Sequence, residues 1–365
     1  MSFLSSIHEL LSSFVGCCIP NSNLSINGRA YRIIKLLGEG GFSFVYLAQD
    51  GSGELFALKK IRCTLGTEEA ELAQREVDIY QMFSHKNIIK MIDSSTITES
   101  DGSKTIYIVL PYYKRGNLQD AINKNNLNKT HFSEMNMIQI FREICEAVEV
   151  LHTYKAQGGA RVMYEPSQAI SPEEENKQDQ QALLSHQQEQ PSGVTKMDGK
   201  RGEIVPWAHR DIKPGNVLMS DDGETPILMD FGSACAARIH INTRQEALQQ
   251  QDLAAEHCTM PYRAPELFDV KTDSTLDEKV DIWSLGCTLY AMAYGQSPFE
   301  INTTDQGGSV ALAVLNNQYK FPESSEYTKE FNDMIRWMLT GNPADRPNIH
   351  QVIAKIDELS RRDSS

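Results

Sequence analysis

A chain of 365 residues, 40% hydrophobic and 23% charged, has an ordinary globular composition and fits one bilobal domain or two domains. Its formal net charge of −14 speaks against a nucleic-acid binder, which normally offers a basic face. The seven cysteines, Cys17, Cys18, Cys63, Cys145, Cys235, Cys258 and Cys287, form no CxxC pair and no metal-ligand spacing, which argues against a disulfide framework and for a reducing compartment.

Residues 1–28 read as an appended tail. Phe3, Leu4, Ile7, Leu10, Leu11, Phe14 and Val15 recur at helical spacing and lead into the adjacent Cys17 and Cys18. His8 and Glu9 interrupt that stretch, so no cleaved signal peptide is expected. No apolar run reaches the roughly 18 residues of a membrane span. Residues 31–113 read as strands around one helix. "YRIIKLLGEGGFSFVYLAQD" and "ELFALKKIR" are strand-like and meet at the turn signal "QDGSGE". "TEEAELAQREVDIYQMF" reads as a helix and "TIYIVLPYY" as a strand. From 114 to 359 the pattern is mainly helical, as in "MNMIQIFREICEAVEVLH" and "VDIWSLGCTLYAMAYG". A β-rich front and a helical back predict an α+β fold in two lobes. Between Lys155 and Pro206 the chain is rich in Gln, Glu, Ser and Gly, with Tyr164 its only aromatic residue. Such a stretch buries too little apolar surface to offset its ordering entropy and is expected to be a mobile surface insertion.

In "GEGGFSFV", Gly38 and Gly40 stand in a turn between strands, where bare backbone can approach a phosphate. A strand follows rather than a helix, so a dinucleotide-binding reading fails. Lys59 lies in a strand apolar on both faces, and periodicity alone does not turn it inward. In the next helix Leu72, Glu76, Tyr80 and Phe83 share a stripe. A carboxylate among inward-facing residues calls for a cation, for which Lys59 is the nearby candidate; a solvated Glu at the stripe's edge is the plainer alternative. The strongest local signal is "HRDIKPGNVLMSDDGETPILMDFGS". "NVLM" and "PILM" fold as a hairpin about Asp222-Gly223, which sets Asn216 nearly opposite Asp230, with cross-strand neighbours roughly 5 Å apart. Two hard oxygen ligands held so close suit Mg²⁺. Asp211, just upstream, is placed to accept a proton from an attacking hydroxyl, and Lys213 to neutralise a transferred phosphoryl group.

Together these residues resemble the eukaryotic protein kinase signature, from about Tyr31 to Leu359 apart from the insertion. The resemblance implies a bilobal protein kinase fold that transfers the γ-phosphate of ATP, with Mg²⁺, to protein Ser or Thr hydroxyls. Gly38, Glu39, Gly40, Gly41, Phe42, Ser43 and Val45 match the glycine-rich loop. Ala57, Leu110, Pro111, Tyr112, Tyr113 and Leu218 would line the nucleotide site. Lys59 matches the lysine that contacts the α and β phosphates, and Glu76 its helix partner. Asp211 is then the base, Asn216 and Asp230 the metal ligands, and Thr259, ahead of "APE", a substrate-positioning residue. Asp281 and Arg346 match helical-lobe anchors, with Arg346 as partner of Glu266. Ser43 replaces a usual third glycine, which implies altered nucleotide dwell time. Lys213 and Thr259 resemble the serine/threonine type. A nucleotide-binding scaffold without catalysis is the alternative; the chain's retention of Lys59, Asp211, Asn216 and Asp230 favours an enzyme. A small-molecule kinase is weaker, because "CTMPYRAPE" looks like a peptide-positioning segment.

"LPYYKRGNLQD", "TRQEALQQQDLAAEHCTMPYRAPELF" and "DIWSLGCTLYAMAYGQSPFE" resemble the Numb-associated kinase family, in particular its lipid-modified Golgi member and a yeast vacuolar relative. "RQEALQQQDLAAEH" favours helix, in agreement with the extra helix that family places in its activation segment. The resemblance implies an acylated N-terminal tail. Ser2 rules out N-myristoylation, which leaves Cys17 and Cys18 for thioester acylation. The expected location is the cytoplasmic face of an endomembrane, vacuole or Golgi, with a cytosolic pool. Protein substrates and a membrane are the expected partners, nucleic acid is not, and the oligomeric state is left open. Between Gly232 and Ala264 the Ser and Thr hydroxyls are Ser233, Thr243 and Thr259, which suggests little need for loop phosphorylation; Arg210 beside Asp211 points the other way.

Overall fold

Asn27 and Gly28 both adopt positive φ, 45° and 84°, as a two-residue type I′ hairpin turn requires and as Asn and Gly tolerate. The turn joins β1 (Asn23–Ile26) to β2 (Arg29–Glu39) in antiparallel register, Ile26 facing Arg29. Ile26 is fully buried. The tail boundary expected at residue 28 therefore falls inside a folded hairpin. The computed structural model describes residues 23–40, 43–63, 67–156, 162–164, 194–196, 202–300 and 308–362. Cys17 and Cys18, Gly41 and Phe42, and most of the insertion lie outside them. Among the described residues Cys63, Cys145, Cys235, Cys258 and Cys287 are free thiols, and no helix is long and apolar enough to cross a membrane.

The described chain groups into two units. The first, up to residue 78 and over 90–112 and 161–197, is built on an antiparallel sheet. β3 (Ser43–Asp50), β4 (Leu55–Cys63), β5 (Asp93–Thr98) and β6 (Lys104–Pro111) join the hairpin in the order β1-β2-β3-β4-β6-β5. One face gathers Ile26, Tyr31, Ala48, Phe56, Leu58, Tyr107 and Val109 into a core, and Tyr31 meets Phe56 edge-on at 5.6 Å. The Asn27 amide donates to Asp93 Oδ1 at 2.8 Å and to the Ser94 carbonyl at 3.0 Å. The turn beyond one edge strand thus reaches the other edge strand, and the sheet curls around its core. The opposite face of β4 carries Ala57 and Lys59, since successive strand residues alternate in direction. Helix α1 (Thr67–Met82) follows β4.

The second unit covers 79–89, 113–160 and from 198 onward and is mainly helical: α2 (Leu118–Asn128), α3 (Glu134–His152), α4 (Arg244–His257), α5 (Lys279–Tyr294), α6 (Val310–Leu315), α7 (Lys329–Met338) and α8 (Ile349–Arg362). Every residue from Val280 to Met292 is buried, so α5 is a central helix surrounded by protein rather than an amphipathic surface one. Helix α3 packs against α5 and α8.

The insertion leaves this unit through a paired neck. Ala156 N donates to the Glu203 carbonyl at 2.9 Å, Gly202 N to the Ala156 carbonyl at 2.9 Å and Val205 N to the Tyr154 carbonyl at 2.8 Å. Lys155 bridges Ile204. Within the stretch expected to lack structure, β7 (Val162–Tyr164) pairs antiparallel with β8 (Val194–Lys196). Backbone pairing needs no apolar composition, which is why composition alone did not disclose it.

Candidate active site

Strand register brings several expected residues onto one sheet face in the first unit. Val45 pairs with Lys59, and Ala57 with Leu110. Lys59 Nζ donates to Glu76 Oε1 at 2.7 Å, with side-chain exposures of 13% and 6%. On α1 the buried stripe runs through Ala73, Glu76, Val77 and Tyr80, and Phe83 continues it one residue past the helix end. Leu72, expected on that stripe, is 38% exposed; it lies one residue, about 100° of helix rotation, from Ala73. Gly38 pairs with Val45 and Glu39 with Phe44, and Gly40 N closes the loop on the Ser43 carbonyl at 2.8 Å. A Cβ on Gly40 would stand 3.1 Å from Ser43 Oγ, the residue in the place of the third glycine. Leu110 is buried in β6, Pro111 ends the strand, and Tyr112 and Tyr113 follow half-buried. Sequence reasoning passed over Leu37. It lies at a register shift between Leu36 and Gly38, and 38% of it is exposed. Bulges of this kind re-aim side chains beside functional sites. The available signal was an apolar residue directly before the glycines.

In the second unit β10 (Val217–Met219) and β11 (Pro226–Leu228) form the expected hairpin. Val217 pairs with Leu228, which centres the turn between Asp222 and Gly223. Met229 N donates to the Asn216 carbonyl at 2.9 Å, so Asp230 comes next to Asn216 at the open end. Leu218, half-buried, bridges Asn117. Asp211 is almost wholly buried, and both of its carboxylate oxygens are engaged. Oδ2 accepts from Lys213 Nζ at 2.6 Å and Asn216 Nδ2 at 2.9 Å; Oδ1 accepts from Thr259 N at 2.8 Å. Lys213 Nζ also donates to Thr259 Oγ1 at 2.5 Å. Asn216 Nδ2 donates further to the Asp211 carbonyl at 2.8 Å. Its amide nitrogen is therefore committed, and Oδ1 is the atom that could ligate a cation. Asp230 takes a left-handed backbone, φ 63°. Asn216 Oδ1 and the Asp230 carboxylate are hard oxygen donors of the kind Mg²⁺ accepts.

Buried groups hold this loop in place. The His209 ring lies 5.2 Å from Phe231, which lies 5.4 Å from Tyr80. Asp281 is fully buried and accepts from His209 N at 2.8 Å and Arg210 N at 2.9 Å, with His152 Nε2 at 3.0 Å. Burial pushes the Asp281 carboxyl up, but hydrogen bonding and charge from His152, with His209, outweigh it and hold the group below its ordinary value. Arg346 forks onto Glu266 at 2.7 and 3.0 Å and lies over Trp283, 5.2 Å from the ring centroid.

The segment from Gly232 to Ala264 is tied down repeatedly. β12 (Cys235–Ala236) pairs with β9 (Trp207–Ala208), and β13 (Ile239–Ile241) with β14 (Ser274–Leu276). Helix α4 covers the stretch expected to be helical and starts at a capping box between Thr243 and Glu246.

A protein kinase domain model matches residues 31–158 and 205–356. The chain is similar to the serine/threonine-protein kinase ppk13 of Schizosaccharomyces pombe, 37% identical over 350 residues, 96% of each chain. It is similar to the serine/threonine-protein kinase ENV7 of Saccharomyces cerevisiae, 35% identical over 369 residues, 98% of this chain and 99% of the relative. Human serine/threonine-protein kinase 16 is 32% identical over 344 residues, 94% of each chain.

Proposed function

Since this chain belongs to the protein kinase family and is a serine/threonine protein kinase, we propose that it transfers the γ-phosphate of ATP through Asp211, Lys213, Asn216, Asp230 and Lys59. The carrying observation is the environment of Asp211, whose two oxygens are fixed by Lys213, Asn216 and Thr259. A carboxylate held in this way is positioned to take the proton of a Ser or Thr hydroxyl as that oxygen attacks phosphorus. Lys213 places positive charge where the transferred phosphoryl gains negative charge, and Thr259 fixes both Lys213 and Asp211. Lys59, oriented by Glu76, binds the α and β phosphates. By the resemblance, Gly38, Glu39, Gly40, Gly41, Phe42, Ser43 and Val45 would contact the phosphates, and Leu37, Ala57, Leu110, Pro111, Tyr112, Tyr113 and Leu218 would contact the base and sugar. Asn216 and Asp230 would hold Mg²⁺, which would supply charge neutralisation on the phosphate oxygens.

Replacing Asp230 or Asp211 by Ala is expected to cut peptide phosphorylation by about three orders of magnitude or more with the fold intact. Near-wild-type turnover of purified Asp230→Ala with Mg²⁺-ATP would overturn the assignment. We place the enzyme in the Numb-associated branch, on the cytoplasmic face of a vacuolar or Golgi membrane with a cytosolic pool, and connect it with membrane trafficking. Support comes from the activation-segment helix and from the apolar spacing that precedes Cys17 and Cys18.

A further inference from the structure

Arg210 is a buried cation, 7% exposed, in a left-handed backbone at φ 66°. Burying a guanidinium is costly unless its donors find acceptors. Among the described residues no carboxylate forms an ion pair with it, and its Nε has no hydrogen-bond partner. Its side-chain acceptor is Gln250 Oε1, 3.1 Å from Nη1. Gln250 lies on α4, inside the segment that phosphorylation orders in many kinases through new Arg–phosphate pairs. The Ser and Thr hydroxyls of that segment have other duties. Ser233 Oγ donates to the His257 carbonyl at 2.7 Å, and Thr259 Oγ1 accepts from Lys213 at 2.5 Å. Thr243 caps the first turn of α4, seven residues before Gln250 and roughly 10 Å away along the axis.

We propose that Gln250 is a positioning residue, whose amide carbonyl does permanently for Arg210 what a loop phosphate does elsewhere. The inference rests on the kinase reading above and deepens it by naming how that site is kept assembled. α4 bears on Asp211 by two routes. Gln250 holds the side chain of Arg210, whose backbone N donates to Asp281 and which directly precedes Asp211. The C-terminal end of α4 leads through Cys258 to Thr259, whose amide binds Asp211 Oδ1. An amide is a weaker acceptor for a guanidinium than a phosphate dianion, but it needs no upstream kinase and is not removed by a phosphatase.

The test uses the full chain, treated with phosphatase until intact mass shows no phosphate. Wild type is expected to keep its kcat within about twofold, while Gln250→Leu loses about tenfold in kcat with the ATP KM nearly unchanged, the size of one hydrogen bond to a charged group. Gln250→Glu, which keeps an acceptor, should restore the rate. In an Arg210→Ala background Gln250→Leu should cost less than about twofold more, since the interaction it removes is already gone. Three results would overturn the proposal: wild-type kcat in Gln250→Leu, an undiminished tenfold loss in the Arg210→Ala background, or collapse of wild-type turnover on dephosphorylation. A wild type that phosphorylates no peptide even before treatment overturns the enzymatic reading, and this inference with it.

Discussion

Glu76 shows how one side chain can be read only when its partner is seen. Its place on an apolar stripe called for a cation, and the structure supplies Lys59 at 2.7 Å with both groups largely out of water. Removing one member of a buried pair leaves the other desolvated, at about 3–5 kcal/mol. Glu76→Ala should therefore lower the thermal midpoint by several degrees and raise the ATP KM; a variant that melts and titrates like wild type would remove the pair from the mechanism. Asp281 carries a pH prediction. Its folded value is held below the ordinary one, so it contributes stability above the unfolded carboxylate value of about 3.9, and that contribution is lost as pH falls from there through the folded value. Asp281→Asn should be less stable than wild type at neutral pH, and the gap should narrow below about pH 4. Parallel denaturant titrations of both proteins across that range measure it; a gap constant with pH would show that the carboxylate charge is not what matters.

Among the elements, what could be read in advance depended on whether local chemistry settled the geometry. The β10–β11 hairpin was legible because Asp222-Gly223 fixes the register, and register alone brings Asp230 beside Asn216. The same reasoning would have found β1. "INGR" is an Asn-Gly turn between Leu24 and Ile26 on one side and Tyr31 on the other, but so short a strand reads from composition as part of the tail. Leu72 was misplaced because two neighbouring stripes on α1 are both partly apolar, and tertiary packing chose the one through Ala73. Arg210 and Gln250 are 40 residues apart, and no periodicity links them. The neck of the insertion sets the bounds of a deletion experiment. Gly202 and Glu203 pair with Ala156, so a deletion of 157–201 closed by a short linker keeps both bonds and should leave ATP turnover within about twofold. Extending the deletion through 203 removes them, and should lower the thermal midpoint by a few degrees, at about 1 kcal/mol per bond. Insoluble protein from the shorter deletion would show that the insertion packs on the fold.

At the scale of the whole molecule the formal charge of −14 bears on the membrane attachment proposed above. The cytoplasmic leaflet is negatively charged and attracts basic segments, so an acidic protein gains no general electrostatic help there. On the proposal of membrane attachment, hydrophobic anchoring then carries the binding. Phe3, Leu4, Ile7, Leu10, Leu11, Phe14 and Val15 give the tail an apolar stripe, and Cys17 and Cys18 offer two acylation sites beside it. Each buried methylene contributes about 0.8 kcal/mol, yet one acyl chain alone binds only marginally, and stable attachment takes two signals. Two thioesters, or one with the stripe, meet that condition, and thioester exchange keeps the attachment reversible. Wild type should divide between membrane and cytosol and release its label with hydroxylamine. Cys17→Ser with Cys18→Ser should shift to the cytosol, and each single variant should fall between. Activity in solution should be the same for all four, because Asp211, Lys213, Asn216 and Thr259 are held by bonds among themselves in which the tail takes no part. A double variant that stays on membranes, or a wild type without a thioester, would show that another part of the chain is the anchor.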